Sequence, residues 1–169
     1  MKLSKLFFLF ALAIAAVSCS SDDDNNNVYA FNQANLTGTY NVVYFQSKEV
    51  ETVDVNGFDV ITTTTSVGDT FNMNIIFASN NQGTIDGTYR VTETVTQGNQ
   101  TNTDTYIIDL DNEPISYTVN AAASQIIIDG MLYEVSNWSP TGFTVKHEET
   151  VVEPNGDNTV YNEEIRFTK

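Results

Sequence analysis

Short runs in which apolar and polar residues alternate follow one another from residue 36 to the end of the chain. Two of them, Phe71–Ile75 and Tyr106–Leu110, alternate or nearly alternate, as strands with one buried face do. Val, Ile, Thr, Tyr and Phe dominate these runs, and no helical period of useful length interrupts them. The pattern predicts an all-β domain over residues 35–169.

Turn-forming residues divide this domain at short intervals. Asn56-Gly57 and Asp129-Gly130 are pairs that tolerate positive φ and predict hairpins, whereas Gly87 is expected at a bulge within a strand. The links are too short for parallel crossovers, which need about a dozen residues or more. The breaks leave ten runs, at 38–55, 58–66, 70–78, 83–96, 103–110, 115–119, 125–129, 131–137, 142–153 and 159–168.

Strands that pair with their sequence neighbours must also protect the two edges of the sheet that they form. Closure into a barrel removes both edges. The expected fold is therefore an antiparallel up-and-down β-barrel of about eight to ten strands, and a sandwich of two packed sheets is the competing architecture.

The first eighteen residues are expected to be a signal peptide. Lys2 and Lys5 precede an apolar stretch that runs from Leu6 to Val17. A basic start followed by a short apolar stretch and small residues is typical of secretory signals. A membrane-spanning helix needs about 20 apolar residues, so this stretch is too short to be one.

The only cysteine of the chain, Cys19, follows this segment directly. Ala16–Cys19 resembles the lipobox of bacterial lipoproteins. In that family the cysteine thiol is acylated, and the chain is cut just before the cysteine. The resemblance implies a signal peptide at residues 1–18 and a membrane anchor through acyl chains on Cys19. A single cysteine also leaves no partner for a disulfide within the chain.

Residues 19–34 are expected to be the acylated cysteine and a disordered tether, because Ser20–Asn27 consists of serines, acids and amides without an apolar period. Within this segment Ser21, Asp22, Asp23 and Asp24 resemble the export signal of surface lipoproteins in the Bacteroidetes. The resemblance implies an outer-membrane lipoprotein that faces the cell exterior. A periplasm-facing lipoprotein with a simple solvated spacer is the alternative.

The charge of the mature chain limits the classes of partner that it can bind. Cleavage before Cys19 removes two of the seven basic residues and leaves five against 22 acidic ones, a formal charge of −17. Nucleic acid and anionic lipid surfaces both require a basic footprint, so we expect neither as a partner. We expect the protein to be a monomer.

The start of the domain resembles lipocalin-like proteins, in which a Gly-x-Trp motif leads the first strand across the closed end of the barrel. Here Gly38 and Tyr40 stand at the glycine and tryptophan positions. Residues 132–135 and 142–145 resemble the late strands of small lipocalin-like lipoproteins. The resemblance implies that Arg166 stacks on Tyr40 to close one end, and that the barrel binds a small hydrophobic ligand. A lumen filled by its own side chains is the alternative.

The sequence offers little catalytic chemistry. His147, the only histidine, shares a strand face with Glu149, and we interpret it as a surface histidine rather than as a general base. One histidine and no free cysteine argue against a zinc site. Asp109–Glu113 has alternating carboxylates, but Pro114 stands where a calcium loop needs glycine. No nucleophile elbow, phosphate loop or dinucleotide motif is present. We therefore expect neither an enzyme nor a cofactor.

Trp138 is expected in a loop, where it either plugs a barrel end or stacks on a partner. The second of these leads to an alternative function, an interaction module that binds a protein or glycan through its loops. The main expectation is a lipid-anchored cell-surface protein that binds a small hydrophobic ligand. An apolar cavity of a few hundred cubic ångströms would favour that function.

Overall fold

The computed structural model describes residues 29–169, in which eight antiparallel strands form one closed barrel. Each strand pairs with its sequence neighbour, and β8 pairs back with β1. The predicted up-and-down barrel is confirmed, and the two-sheet alternative is wrong. The elements are α1 Gln33–Leu36, β1 Gly38–Val55, β2 Phe58–Phe77, β3 Gln82–Gln97, β4 Gln100–Asn120, a 3₁₀ turn Ala121–Ala123, β5 Gln125–Ile128, β6 Met131–Ser139, β7 Gly142–Val152 and β8 Asn158–Thr168.

Bulges explain why ten predicted runs give eight strands. Residues 58–66 and 70–78 belong to the single strand β2, in which Thr70 adopts φ 53° and the register with β3 shifts. Residues 103–110 and 115–119 both belong to β4, with Asn112 at φ 50°. A bulge adds a residue without ending the strand, so these positions look like turns in the sequence. No helix described within residues 29–169 is long and apolar enough to span a membrane.

The turn predictions are confirmed where both residues of a pair adopt positive φ. Asn56-Gly57 joins β1 to β2, and Asp129-Gly130 joins β5 to β6. Gly87 lies inside β3 at φ 110°, where the register with β4 shifts, as expected for a bulge. These local conformations need little tertiary support because glycine and asparagine tolerate positive φ.

The hydrophobic core fills one end of the barrel, which we call the closed end. It lies where β1 and β7 begin and where β2, β4 and β8 finish. Phe77, Ile126 and Val145 in this core are completely buried. The buried cluster comprises Leu36, Tyr40, Val42, Ile75, Phe77, Ile115, Tyr117, Ile126, Tyr133, Val135, Phe143, Val145 and Phe167.

The residues that precede β1 cover this closed end. Leu36 of α1 is fully buried, and Tyr29 donates its hydroxyl to the Asn35 carbonyl oxygen at 3.0 Å. The rings of Tyr29 and Phe31 pack against Trp138. Residues 29–34, which the sequence analysis assigned to a disordered tether, therefore belong to the folded domain. The segment is ordered because it contains the aromatic residues Tyr29 and Phe31, which pack on the barrel.

The opposite half of the barrel, which we call the open half, carries many polar side chains on both faces, although apolar ones such as Ile61 and Val152 are also exposed there. On its outer face threonines pair across β3 and β4, with Oγ1–Oγ1 distances of 3.3–3.4 Å. Such cross-strand pairs each contribute about 0.2–1 kcal/mol, and threonine favours extended backbone. These pairs are Thr92–Thr105, Thr94–Thr103 and Thr96–Thr101, and Thr65 and Thr63 of β2 continue the last two rows.

Candidate functional site

The wall of the open half is incomplete because the β5–β6 hairpin is short. Within the described residues, β4 pairs with β5 only at Tyr117–Asn120, so the edge of residues 100–116 has no strand beside it. On the other side β7 pairs with β6 only as far as Lys146. The two free edges border a wedge-shaped opening to the inner face of the barrel.

Hydrogen bonds hold the hairpin at the base of this opening. Asp129 accepts bonds from the backbone nitrogen and the hydroxyl of Ser116 at 2.7 and 3.1 Å, which fastens the turn to β4. On the other side the Nδ1 atom of His147 lies 2.8 Å from the carbonyl oxygen of Leu132. The hairpin is thus tied to both strands that border the opening.

An apolar cavity of about 100 Å³ lies inside the barrel beside this hairpin. It is smaller than the engineered cavity of about 150 Å³ that accepts benzene, and well below the few hundred cubic ångströms of a drug-sized site. A large hydrophobic ligand therefore does not fit this conformation, whereas a short alkyl group does. The lining side chains are Val42, Met73, Ile75, Ile85, Ile128, Tyr133, Ile165 and Phe167.

The barrel wall also has a gap between β1 and β2. Their pairing breaks between Asn41 and Gln46, and an outer depression of about 400 Å³ lies there. Val42 and Met73 line both this depression and the inner cavity. This gap places solvent close to the apolar cavity from the side.

Glu163 lies on the inner face of β8, directly above the cavity. It shares that face with Ile165 and Phe167, since alternate strand residues point the same way. Tyr133 and Tyr161 donate their hydroxyl groups to the two oxygens of its carboxylate, at 2.9 and 2.7 Å. Because Tyr133 also lines the cavity, a single side chain separates the apolar cavity from this carboxylate.

The two tyrosines are held in their neutral, donating form. Burial, together with the negative charge of Glu163, raises the pKa of the Tyr133 hydroxyl far above its usual value. Burial and the hydrogen bond to Glu163 also raise the pKa of the Tyr161 hydroxyl. At neutral pH both hydroxyls therefore donate to the carboxylate and keep its position fixed.

His147 is buried rather than exposed, which corrects the interpretation made from the sequence. Its side chain is 10% exposed and packs against the rings of Tyr133 and Tyr161. Its Nε2 atom is buried and has no hydrogen-bond partner among the described residues, and Glu149 lies 3.6 Å from it. The burial follows from its place in β7, because it comes two residues after the buried Val145 and therefore points to the inner face. There its Nδ1 reaches the carbonyl oxygen of Leu132, just beyond the last paired residues of β6 and β7.

Cross-strand pairing connects inward-facing polar side chains of six strands in one row. Glu93 shares the inner face of the buried Val91, and Glu163 shares that of Phe167. The row climbs around the open half because the strands of a barrel are tilted. From β4 to β7 it comprises Asp104, Glu93, Ser66, Ser47, Glu163 and His147.

A second row nearer the rim adds two carboxylates. Glu49 on β1 and Glu149 on β7 are both paired with Tyr161 of β8 and flank it on either side. The two rows together carry five inward-facing carboxylates. The inner face of the open half is therefore strongly acidic.

The basic residues of the described chain lie elsewhere. On the outer face Glu164 pairs with Lys146 at 3.1 Å and with Arg166 at 2.7 Å, so these charges already have partners. The inner carboxylates have no such cation beside them within residues 29–169. The five basic residues are Lys48, Arg90, Lys146 and Arg166, which alternate with inward-facing residues, and Lys169 at the closed end.

The cation over Tyr40 at the closed end is not the expected arginine. Tyr40 is buried, which raises the pKa of its hydroxyl to about 12, and the Lys169 ammonium lies 5.0 Å from its ring centre. Arg166 instead stacks over Tyr44 at 4.2 Å on the outer face. It faces outward because Phe167 beside it points into the core. Gly38 begins β1 below Lys169, whose Cε lies 3.3 Å from where a Cβ would stand.

Trp138 lies in β6 rather than in a loop, and it plugs the closed end. Its ring contacts Tyr29, Phe31 and Phe143 at centroid distances of 5.4, 5.0 and 5.3 Å. It is therefore not available as an exposed aromatic for a partner.

Asp109–Glu113 lies within β4, and residues 29–169 contain no group of three acidic, histidine or cysteine side chains placed to hold a metal ion.

The lipidation and export residues have no structural counterpart here, and three residues of the open half were not predicted from the sequence. Cys19 and the export segment 21–24 lie outside the described residues. Glu163, Tyr133 and Tyr161 were not singled out from the sequence. A signal was present for Glu163, because it lies two and four residues before the apolar Ile165 and Phe167.

Comparison of the chain with protein-family models, curated proteins and solved structures found no match. The geometry of the open half is therefore the basis for a functional assignment.

Proposed function

We propose that this protein is a lipid-anchored, lipocalin-like lipoprotein of the outer membrane whose barrel binds a small ligand. The observation that supports ligand binding most directly is the wedge between β4 and β7. It leads to an inner face where the apolar cavity and Glu163 adjoin at Tyr133. The ligand places a short apolar group in the cavity and its remaining atoms in the open half.

The position of the N-terminal segment is compatible with an anchor at Cys19. The described chain begins at Tyr29, which packs on Trp138 at the closed end. An anchor attached ahead of this residue leaves the opposite, open end of the barrel unobstructed. On this proposal the acidic segment 21–24 directs the protein to the outer face of the outer membrane.

Replacement of Cys19 by alanine is expected to move the protein from the membrane fraction to the soluble fraction. Without the thiol no acyl chain is attached, and stable anchoring requires two lipid signals. Fractionation with immunoblotting measures the change. As a matched control, Asp22, Asp23 and Asp24 are replaced by asparagine: the protein should stay in the membrane fraction but become resistant to protease added to intact cells. Membrane retention of the Cys19→Ala variant would refute the anchor.

Ligand binding is tested by native mass spectrometry of the protein purified from its own host. We expect a bound small molecule that is lost in Ile128→Phe, because Ile128 lines the cavity and a larger side chain fills it. Ile127→Phe is the matched control, since this neighbouring side chain is 39% exposed on the outer face. If no small molecule co-purifies and hydrophobic dyes do not bind, the proposed function is wrong.

A further inference from the structure

In the open half, hydrogen-bond acceptors are left without partners, whereas the tyrosine donors beside them are already used. A carbonyl oxygen only accepts, so Nδ1 of His147 carries the proton in its bond to Leu132. In the neutral ring Nε2 therefore presents a lone pair, and it is buried without a partner. The donor hydroxyls of Tyr133 and Tyr161 are both used by Glu163.

Glu163 itself retains unused acceptor capacity. A carboxylate offers about four lone-pair positions, of which the two tyrosines occupy two. The next acceptor along β7 is Glu149, whose Oε2 lies 3.6 Å from Nε2 of His147. A ligand that satisfies these groups must bring hydrogen-bond donors rather than acceptors.

The charge of the site also favours a cationic ligand. Five carboxylates lie on the inner face along two rows of cross-strand pairing, and the basic residues of the described chain all point outward or lie at the closed end. Negative charge focused in a cleft raises the local concentration of cations. Aromatic rings beside the carboxylates add cation–π attraction.

An organic cation fits these groups better than a metal ion does. Within residues 29–169 no three acidic or histidine side chains converge closely enough to hold a metal ion. One carboxylate, one imidazole nitrogen and surrounding tyrosine rings instead suit an ammonium group, which takes up to three hydrogen bonds. The adjoining cavity of about 100 Å³ accepts a short alkyl chain attached to it.

We propose that the ligand is a small alkylamine, bound as its ammonium ion between Glu163 and Nε2 of His147, with its alkyl chain in the apolar cavity beside Tyr133. This inference rests on the proposed ligand-binding function and names the chemical class of the ligand.

The test is a calorimetric titration of the purified protein at pH 8 with three ligands of equal chain length, n-butylammonium, 1-butanol and butyrate. We expect n-butylammonium to bind at least about tenfold more tightly than butanol, and butyrate not to bind, because only the amine supplies both charge and donors. This series needs no variant and is therefore independent of any effect on folding. Equal binding of the amine and the alcohol, or preferential binding of butyrate, would overturn the proposal.

Two variants on adjacent positions of β8 locate the site. Glu163→Gln keeps the shape of the side chain and removes its charge, and it should weaken n-butylammonium at least about tenfold. Glu164→Gln makes the same change one residue away on the outer face, where Lys146 and Arg166 are its partners, and should leave binding unchanged. Equal effects of the two variants would place the amine outside the barrel.

The proposed function and this inference fail in different ways. If the host protein carries a neutral or anionic small molecule that is lost in Ile128→Phe, the barrel binds a ligand but the alkylamine assignment is wrong. If neither a co-purified molecule nor n-butylammonium binds, both are wrong.

Discussion

Replacing Phe77 with alanine is expected to lower the free energy of unfolding by about 3–5 kcal/mol. Phe77 is completely buried at the closed end, and its ring lies 5.0 Å from that of Tyr117 and 5.9 Å from that of Tyr40. Removing it leaves a cavity among aromatic side chains that cannot all move inward. Urea denaturation followed by tyrosine and tryptophan fluorescence measures the loss.

Ile76→Ala is the matched control for this prediction. Ile76 precedes Phe77 in β2 but points outward and is 40% exposed, so its truncation should cost less than about 1 kcal/mol. If the two variants lost similar stability, the core would not lie on the face of β2 that the structure assigns to it.

Replacing Gly87 with alanine should cost about 3 kcal/mol or more. Gly87 adopts φ 110°, and a Cβ atom there would lie 2.0 Å from the carbonyl oxygen of Asn72. The substitution therefore combines backbone strain, itself about 1–3 kcal/mol, with a clash against the backbone of β2. Chemical denaturation at 25 °C gives the difference in the free energy of unfolding.

Gly57→Ala separates these two contributions. Gly57 also has positive φ, at 84°, but nothing lies within 4 Å of the position that a Cβ would take. It should show the conformational cost alone, about 1–2 kcal/mol. A Gly87 variant no less stable than the Gly57 variant would mean that β2 does not approach β3 as closely as described.

The hydrophobic core and the acidic groups of the proposed site lie in different halves of this barrel, although side chains of the core line the apolar cavity of that site. The buried aromatic and aliphatic side chains lie at the closed end. The open half has polar residues on its inner face and depends on strand pairing for its order. Regions with few buried apolar contacts open more readily, and binding sites commonly occur in them. A ligand bound at Glu163 would therefore stabilise the half of the barrel that has the smaller core.

The strands could be predicted from the sequence because their signals are local. Alternation along Phe71–Ile75 and positive-φ pairs such as Asn56-Gly57 depend only on near neighbours. The bulge at Gly87 was predictable for the same reason. The fusion of two runs into β2 was not predictable, because only the pairing of Asp69 and Asn72 with β3 carries the strand through the bulge at Thr70.

The site was much less predictable than the fold. Arg166 and Tyr40 have the residue types of a stacked pair, but the register of β8 turns Arg166 outward to Tyr44. A shift of one residue moves a side chain to the other face of a sheet, so such partners depend on register. His147 likewise looks solvent-exposed among its acidic neighbours, and only the fold brings its ring against Tyr133 and the carbonyl oxygen of Leu132.

The sequence by itself determined an all-β chain, most of its turns and the residue alternation that assigns Glu163 and Phe167 to one face. It also carries the lipobox-like segment at Cys19. Only the tertiary structure decided which residues meet on the inner face, because strands distant in sequence pair there. The hairpin of β5 and β6 is too short to complete the wall, and so the acidic interior opens to solvent.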